Sequence, residues 1–281
     1  MRTLVLTVEP SENGLTALDL LRGRGFSRRI IVNLKQNGGL TRAGEILRSV
    51  DRVFSGEEVC VELVEEGAEV LPNPDIKAAV VYEDCDVAVY DKPPFLPTHP
   101  SHGHYGDTLA NLFAAQYPGC AFRPLNRLDK NTSGLCVCAK NKLAASLLRD
   151  GVSKVYYAAV DGDIRRPGGI CAPIGRVSGS IIKREVRDDG QRAETLFSPV
   201  LWGNGRTLLK VTLLTGRTHQ IRVHMAHMGY PLCGDELYGG DCAAIQRQAL
   251  HCGRVEFTSP VTGEKVLAES EIPEDIAQLF K

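Results

Sequence analysis

The sequence is poor in the features that mark several large classes of protein. No apolar stretch approaches the ~20 residues that cross a bilayer, and the opening MRTLVLTVEP lacks the charged start and long apolar run of a secretory leader. Neither membrane insertion nor export is therefore expected. The nine cysteines are an odd number without framework spacing, which excludes a disulfide scaffold and points to reduced thiols in the cytoplasm. There is no Gly-rich dinucleotide loop and no phosphate-binding lysine motif, so no cofactor is expected. Internal repeats and low-complexity tracts are also missing. Histidine is scarce, at seven, yet two runs concentrate it: His99, His102 and His104 in HPSHGH, and His219, His224 and His227 in HQIRVHMAH. A metal-dependent hydrolase acting on nucleic acid could be built from such groups. The step from 219 to 224 is five rather than the helical four, and no HExxH acid accompanies it, so no metal site is expected.

What is present describes an ordinary globular chain of 281 residues, 43% hydrophobic and 24% charged, long enough for one substantial core and a small second unit. The formal net charge of -1 conceals a segregated distribution. Eight bases (Arg22, Arg24, Arg28, Arg29, Lys35, Arg42, Arg48, Arg52) face only Glu45 and Asp51 between Arg22 and Arg52, whereas Glu57 to Glu69 holds six acids and no base. Polyanion binding follows local rather than total charge, so this segment predicts a basic face for phosphates, with Arg28, Arg29 and Lys35 as candidate contacts.

The opening unit reads as helices followed by short strands. TALDLLRGRG has helical apolar spacing, SRRIIVNLKQNGG starts at a Ser27 cap and ends in a glycine pair, and SGEEVCVELVEE alternates like a strand. Two prolines in LPNPDIKA, residues 71–78, interrupt helix and ladder alike and mark a linker. The division predicted is a small α/β domain over 1–72 and a larger one over 79–281. The larger part has strands in AAVVYEDCDVAVYDKP, GLCVCAKN, KVYYAAVDG, TLLKVTLLTG and GRVEFTSP, and helices in DTLANLFAAQYP, NKLAASLLRD, HQIRVHMAHMG and DCAAIQRQAL. Strands in excess of helices without βαβ alternation predict an α+β fold around a mixed or antiparallel sheet. Cys136 and Cys138, two apart in a strand, would fill one face of it.

One stretch raises a chemical question. NRLDKNTSGL, residues 126–135, sets Asp129 among turn formers directly before the apolar strand LCVCAKN. Alone, it reads as a loop in which Asp129 closes an Asx-type turn. A charged loop on a stiff strand is also where catalytic groups sit.

RPLNRLDKNTSGLCVCAKN resembles the signature of the RluA family of pseudouridine synthases, whose usual form has His where this chain has Asn126. VYEDCDVAVYDKPPFLPTHPS, KVYYAAVDG, GRTHQIRVHMAHMGYPLCGDELYG and LHCGRVEFTSPVTGE follow in the family's order, so the similarity covers roughly residues 79–270. The opening unit resembles the alpha-L RNA-binding module often fused ahead of RNA-modifying enzymes. The resemblance implies an isomerase of uridine in structured ribosomal or transfer RNA, without cofactor, metal or protein partner.

The implied chemistry breaks a glycosidic bond, turns the uracil and rejoins it through carbon 5, a task suited to a carboxylate that attacks or assists base departure. The resemblance assigns that part to Asp129 and leaves open whether it attacks the sugar, attacks the ring or takes a ribose proton. It places Arg222 as the ion-pair partner of Asp129. Tyr156 would stack on the uracil and aid proton transfer, with Tyr157 pointing the other way. Arg127 would hold RNA rearranged by extrusion of the target base. Asn126 replaces a histidine's hydrogen bond but not its titration, which argues against a general base there. A noncatalytic RNA-binding protein is the other rival, and the joint presence of Asp129, Tyr156 and Arg222 weighs against it.

Overall fold

Two hydrophobic cores organise residues 2–63 and 70–281, the parts of the chain described by this computed structural model. Glu65, Glu66 and Glu69 of the acidic run lie outside the described residues. The first core forms under a four-stranded antiparallel sheet of order β1-β4-β2-β3, made of β1 (Arg2–Thr7), β2 (Leu40–Arg42), β3 (Glu45–Ile46) and β4 (Glu58–Leu63). Helices α1 (Ala17–Gly23) and α2 (Arg28–Asn37) cover it. Thr16 caps α1 by accepting from Asp19 N, Ser27 caps α2 by accepting from Ile30 N, and Gly38 closes α2 at φ 64°. Ile30, Ile31 and Leu34 recur at helical spacing and are buried.

The predicted order of helices before strands omits β1, whose alternation sends Leu4 and Leu6 toward the core and leaves Val5 exposed. The predicted basic face is also narrower than the sequence suggests. Arg24 pairs with Glu12 at 2.7 Å, Arg42 with Glu57 at 3.0 Å, Arg48 with Asp51 at 3.7 Å and Arg22 with Asp19 at 3.9 Å. Folding thus sets half of the segregated bases beside carboxylates and leaves the exposed Arg28, Arg29 and Lys35 of α2 without one among the described residues.

From Leu71 onward the linker is pinned to the second body. Asn111 donates to Leu71 O at 2.7 Å, and Asn73 N donates to Asn111 O at 3.0 Å. That body is built on β5 (Ala79–Glu83), β6 (Val87–Lys92), α3 (Leu109–Gln116), β7 (Arg123–Pro124), β8 (Ser133–Ala139), α4 (Lys142–Leu147), β9 (Ser153–Asp161) and β10 (Gly168–Cys171). The chain continues through β11 (Ile174–Arg176), β12 (Arg184–Val186), β13 (Glu194–Gly203), β14 (Arg206–Leu213), α5 (Gln220–His227), β15 (Leu250–Thr258), β16 (Lys265–Glu269) and α6 (Glu274–Ala277). Apart from a small β11–β12 ribbon, these strands make a ten-stranded sheet of order β10-β13-β14-β9-β15-β8-β6-β5, with β16 on β15 and β7 on β8. The sheet is mixed because β8 runs parallel to β15 while its other pairs are antiparallel. All seven residues of β8 are buried, Cys136 and Cys138 among them.

DCAAIQRQAL, predicted as a helix, forms none. Arg247 is 1% exposed and donates twice to Asp275, at 2.7 and 2.9 Å. Gly234 packs its Cα against the Arg247 carbonyl, so close that a Cβ would sit 2.1 Å from that oxygen. These tertiary contacts hold the segment out of a helix against its helical propensity.

The parallel pairing of β8 with β15 ends the loop that carries Asp129, and it depends on Gly134. Gly134 has φ 104°, and a Cβ there would meet Cys252 O at 2.3 Å. Gly134→Ala is expected to cost roughly 3 kcal/mol from backbone strain and overpacking. Thermal unfolding followed by circular dichroism checks this, and an unchanged Tm would show that the strand pair tolerates a side chain.

Candidate active site

The segment NRLDKNTSGL is held from both sides. Asn126 donates to Leu135 O at 2.9 Å and accepts from Val137 N at 2.8 Å, so its amide extends the β7 edge along β8 like one more ladder residue. Both faces of the amide are engaged by backbone, which explains why a residue that cannot titrate serves there. Thr98 Oγ1 donates to Leu128 O at 2.7 Å. Two buried basic side chains hold carbonyls farther along. Lys92 Nζ donates to Lys130 O at 3.2 Å and to Pro93 O and Leu96 O, both at 2.9 Å, while Arg247 donates to Asn131 O at 3.3 Å. Burial brings the Lys92 pKa down to about 7. Asp129 closes its turn through the backbone, Thr132 N to Asp129 O at 3.0 Å. The Asx-turn reading fails here because the side chain is committed elsewhere.

That commitment is to Arg222, which donates from Nη1 to Asp129 Oδ2 at 2.9 Å across 93 residues of sequence. Arg222 also donates from Nε and Nη2 to the two oxygens of Asp235, at 2.7 and 2.8 Å. Arg222 is 6% and Asp235 1% exposed. Burial opposes the Arg222 charge, but the hydrogen bonds and charges of Asp235 and then Asp129 outweigh it and raise its pKa. The guanidinium is therefore always positive and fixed in direction by its fork on Asp235. The Tyr238 ring lies 5.0 Å from it.

The start of α5 is shaped for this placement. Gln220 accepts from Arg217 N at 2.9 Å and donates to Glu194 O at 2.9 Å, which ties the turn to β13. His219 occupies the left-handed region at φ 57°, an uncommon conformation for a non-glycine residue that concentrates where neighbours impose it. Its ring bonds Tyr238 Oη at 2.9 Å and places Nε2 3.7 Å from Asp129 Oδ2. Burial lowers the His219 pKa despite the carboxylate, so the ring is neutral at neutral pH.

Arg127, Asp129, Tyr156 and Arg222 line one pocket, which shares its walls with a cleft of about 1030 Å³. Arg127 is exposed at that cleft, whereas the adjacent Leu128 is buried beneath it. Tyr156, on the central strand β9, is 6% exposed, and burial pushes its phenol well above the usual value. Tyr157 packs into a separate cluster on the other face. Arg28, Arg29 and Lys35 are not brought to this pocket. His219, Asp235, Tyr238, Lys92 and Arg247 are the neighbours that sequence reasoning missed, although GDELYG and YDKP lay within the motifs it quoted. The histidine runs are engaged otherwise: His224 bonds Thr195 Oγ1 and Ala172 O, both at 2.9 Å, and His104 bonds Asp107 at 2.6 Å. Among the described residues no three His, Cys, Asp or Glu side chains converge as a metal-binding group. Also among them, no helix is long and apolar enough to cross a membrane.

Known proteins are similar to this chain in sequence and in fold. Residues 86–227 match the family of RNA pseudouridylate synthases. Ribosomal large subunit pseudouridine synthase D of Pseudomonas aeruginosa is 38% identical over 297 residues, an overlap of 96% of this chain and 93% of that protein. The Bacillus subtilis RNA pseudouridine synthase YjbO is 38% identical over 269 residues, covering 92% of this chain and 95% of that one. In fold, the structure of human RNA pseudouridylate synthase domain containing 1 is similar with a TM-score of 0.61 at 24% identity, covering 74% of this chain and 89% of that one. Likeness at this identity over nearly the whole length of two bacterial proteins is a family relationship, and the chain belongs to the RNA pseudouridylate synthase family.

Proposed function

We propose that this enzyme converts uridine to pseudouridine in folded ribosomal RNA in the cytoplasm, with Asp129 acting directly at the junction of sugar and base. The observation that carries the reading is the 2.9 Å contact between Arg222 and Asp129, made by an arginine already locked onto Asp235. Between ribosomal and transfer RNA, the name of the Pseudomonas aeruginosa relative favours the former.

The reaction breaks the bond from ribose carbon 1 to uracil N1, turns the base, and forms the bond from that carbon to C5. The C5 proton is lost and N1 gains one, so atoms and electrons balance within the nucleoside. Arg222 keeps the Asp129 carboxylate aimed, whichever atom it engages. Tyr156, protonated at neutral pH, supplies a stacking face and a hydrogen-bond donor rather than a phenolate. Arg127, at the exposed rim, holds the strand from which the base was extruded. Residues 1–72 act as the RNA-binding module, with Arg28, Arg29 and Lys35 of α2 on its surface.

Asp129→Asn keeps the side-chain volume and the backbone turn but cannot form the ion pair or act as nucleophile or base. It is expected to bind RNA yet form no pseudouridine even with enzyme in excess over RNA, conditions that exclude slow product release as the cause. Conversion near the wild-type single-turnover rate would end the assignment.

Asp235→Asn frees one arm of Arg222 without touching Asp129. Misplacement of the guanidinium is expected to lower the single-turnover rate on the order of 10²-fold, with RNA affinity unchanged and unfolding free energy lowered by roughly 3 kcal/mol. A loss of affinity at an unchanged rate would show that Asp235 does not position the site.

The pinned linker puts the natural cut before Leu71. Deleting residues 1–70 is expected to leave a folded catalytic body that binds RNA more weakly and with less salt dependence. Titration against RNA over a salt series measures this, and an equal slope would remove the RNA-binding role of the first unit.

A further inference from the structure

Two hydrogen-bonding groups of the pocket have no partner among the described residues, and they stand side by side. One is Asp129 Oδ1, because the carboxylate accepts its side-chain hydrogen bond from Arg222 at Oδ2. The other is on His219. Arg184 N donates to Tyr238 Oη at 3.0 Å, and Tyr238 Oη lies 2.9 Å from His219 Nδ1. Burial raises the Tyr238 pKa, so the phenol keeps its hydrogen, and Nδ1 is the acceptor that hydrogen finds. An imidazole that accepts at Nδ1 carries its own hydrogen on Nε2. Asp129 Oδ2, 3.7 Å from Nε2, is beyond hydrogen-bond reach and already holds Arg222. The His219 side chain is only 11% exposed, and a largely buried donor is costly unless something arrives to accept from it. The ring lines both the pocket that holds Tyr156 and the larger cleft, and Tyr238 packs against it edge-on at 86° with 5.7 Å between centroids. Its orientation is therefore set before any substrate enters.

We propose that His219 is a further catalytic residue, whose Nε2–H donates to a carbonyl oxygen of the uracil and stabilises the negative charge that collects there during the reaction. The inference deepens the isomerase reading and rests on it. The routes by which Asp129 detaches or attacks the base all place charge on a carbonyl. When the bond from ribose carbon 1 to N1 breaks, the electron pair stays with the uracil and spreads from N1 over O2 and O4. When a carboxylate adds to the ring at C6, the pair displaced from the C5–C6 double bond spreads onto O4. The pair returns to carbon 1 as the bond from C5 forms, so His219 lends a hydrogen bond and transfers no proton. A nucleoside whose sugar sits at Oδ1 brings O2, on the carbon next to N1, toward a donor that flanks the same carboxylate. Burial holds the imidazole neutral against the pull of Asp129. A neutral imidazole, a far weaker acid than imidazolium, shares its hydrogen with an oxyanion without giving it up.

Two amides at position 219 separate this role from a structural one. His219→Asn tolerates the left-handed backbone and puts its amide where Nδ1 stands, which keeps the tie to Tyr238 and leaves nothing at Nε2. His219→Gln reaches the place of Nε2 with an N–H and gives up the tie. The substrate is large-subunit ribosomal RNA transcribed in vitro with tritium at carbon 5 of uridine, and tritium release with enzyme in excess reads the rate. His219→Asn is expected to slow release on the order of 10²-fold at unchanged RNA affinity, the effect of removing one donor from an oxyanion site. His219→Gln is expected to be slowed far less. In RNA transcribed with 5-fluorouridine, fluorine draws charge off the carbonyls and the base leaves more readily, so the His219→Asn defect should shrink severalfold, read as fluorouridine consumed by mass spectrometry after nuclease digestion. An active His219→Asn beside an impaired His219→Gln would make His219 a structural residue and overturn the proposal. A defect of equal size on both RNAs would overturn it too, because the donor would then act on something other than the departing base. A wild-type protein that releases no tritium ends the isomerase reading and this inference with it, whereas an active wild type with an equally active His219→Asn removes the inference alone.

Discussion

A single buried guanidinium holds the site together. Arg222 has five donors in a rigid plane, and the structure divides them between a carboxylate that fixes it and a carboxylate that it fixes. Neither half would suffice. An arginine on Asp129 alone could swing with the loop, and one on Asp235 alone would be a structural ion pair. Burial makes the geometry strict, because a charge removed from water needs its partners at hydrogen-bond distance. Much of the surrounding structure follows from that requirement, including the left-handed His219 at the start of α5 and the Gln220 ties that set where the helix begins.

The loop bearing Asp129 shows the same economy of means. Loops expose backbone carbonyls that sheets would otherwise satisfy. Here a hydroxyl and two buried basic side chains reach in from Thr98, from the end of β6 and from the segment before β15 to engage them, while the Asn126 amide ties the start of the loop to β8. Each acceptor held by a buried donor is one fewer direction in which the loop can move. A carboxylate on such a loop is preorganised, which is what a reaction at one bond of a much larger RNA requires.

The two bodies are joined by more than a linker. Leu143 of α4 packs into the N-terminal core, and Leu147, one turn on, lies against Gly25 of that first unit. One short amphipathic helix thus fixes the distance between the basic surface of α2 and the catalytic cleft. Net charge hides this completely: the chain as a whole is close to neutral, and half of the bases in its most basic segment are paired with carboxylates.

The sequence by itself determined the elements that local physics controls. Period-two alternation marked the strands β4, β8, β9 and β15, caps at Ser27 and Gly38 bounded α2, and two prolines marked the connection. The ordered motifs pointed to Asp129, Tyr156, Arg127 and Arg222, which fold into one pocket. What lay beyond its reach depended on contacts between distant segments. DCAAIQRQAL has helical residues but is drawn out by Arg247, which reaches Asp275 and Asn131. Asp129 looked like a side-chain turn former until Arg222 claimed it, and the basic segment, with only Glu45 and Asp51 within it, looked largely unopposed until Glu12, Asp19, Asp51 and Glu57 met its arginines. Asp235 and Lys92 gave no local signal, because the value of a buried charge is set by what surrounds it in space. Propensity and pattern act over a few residues, whereas desolvated charges act over whatever distance the fold has closed, and only the tertiary structure decides that distance.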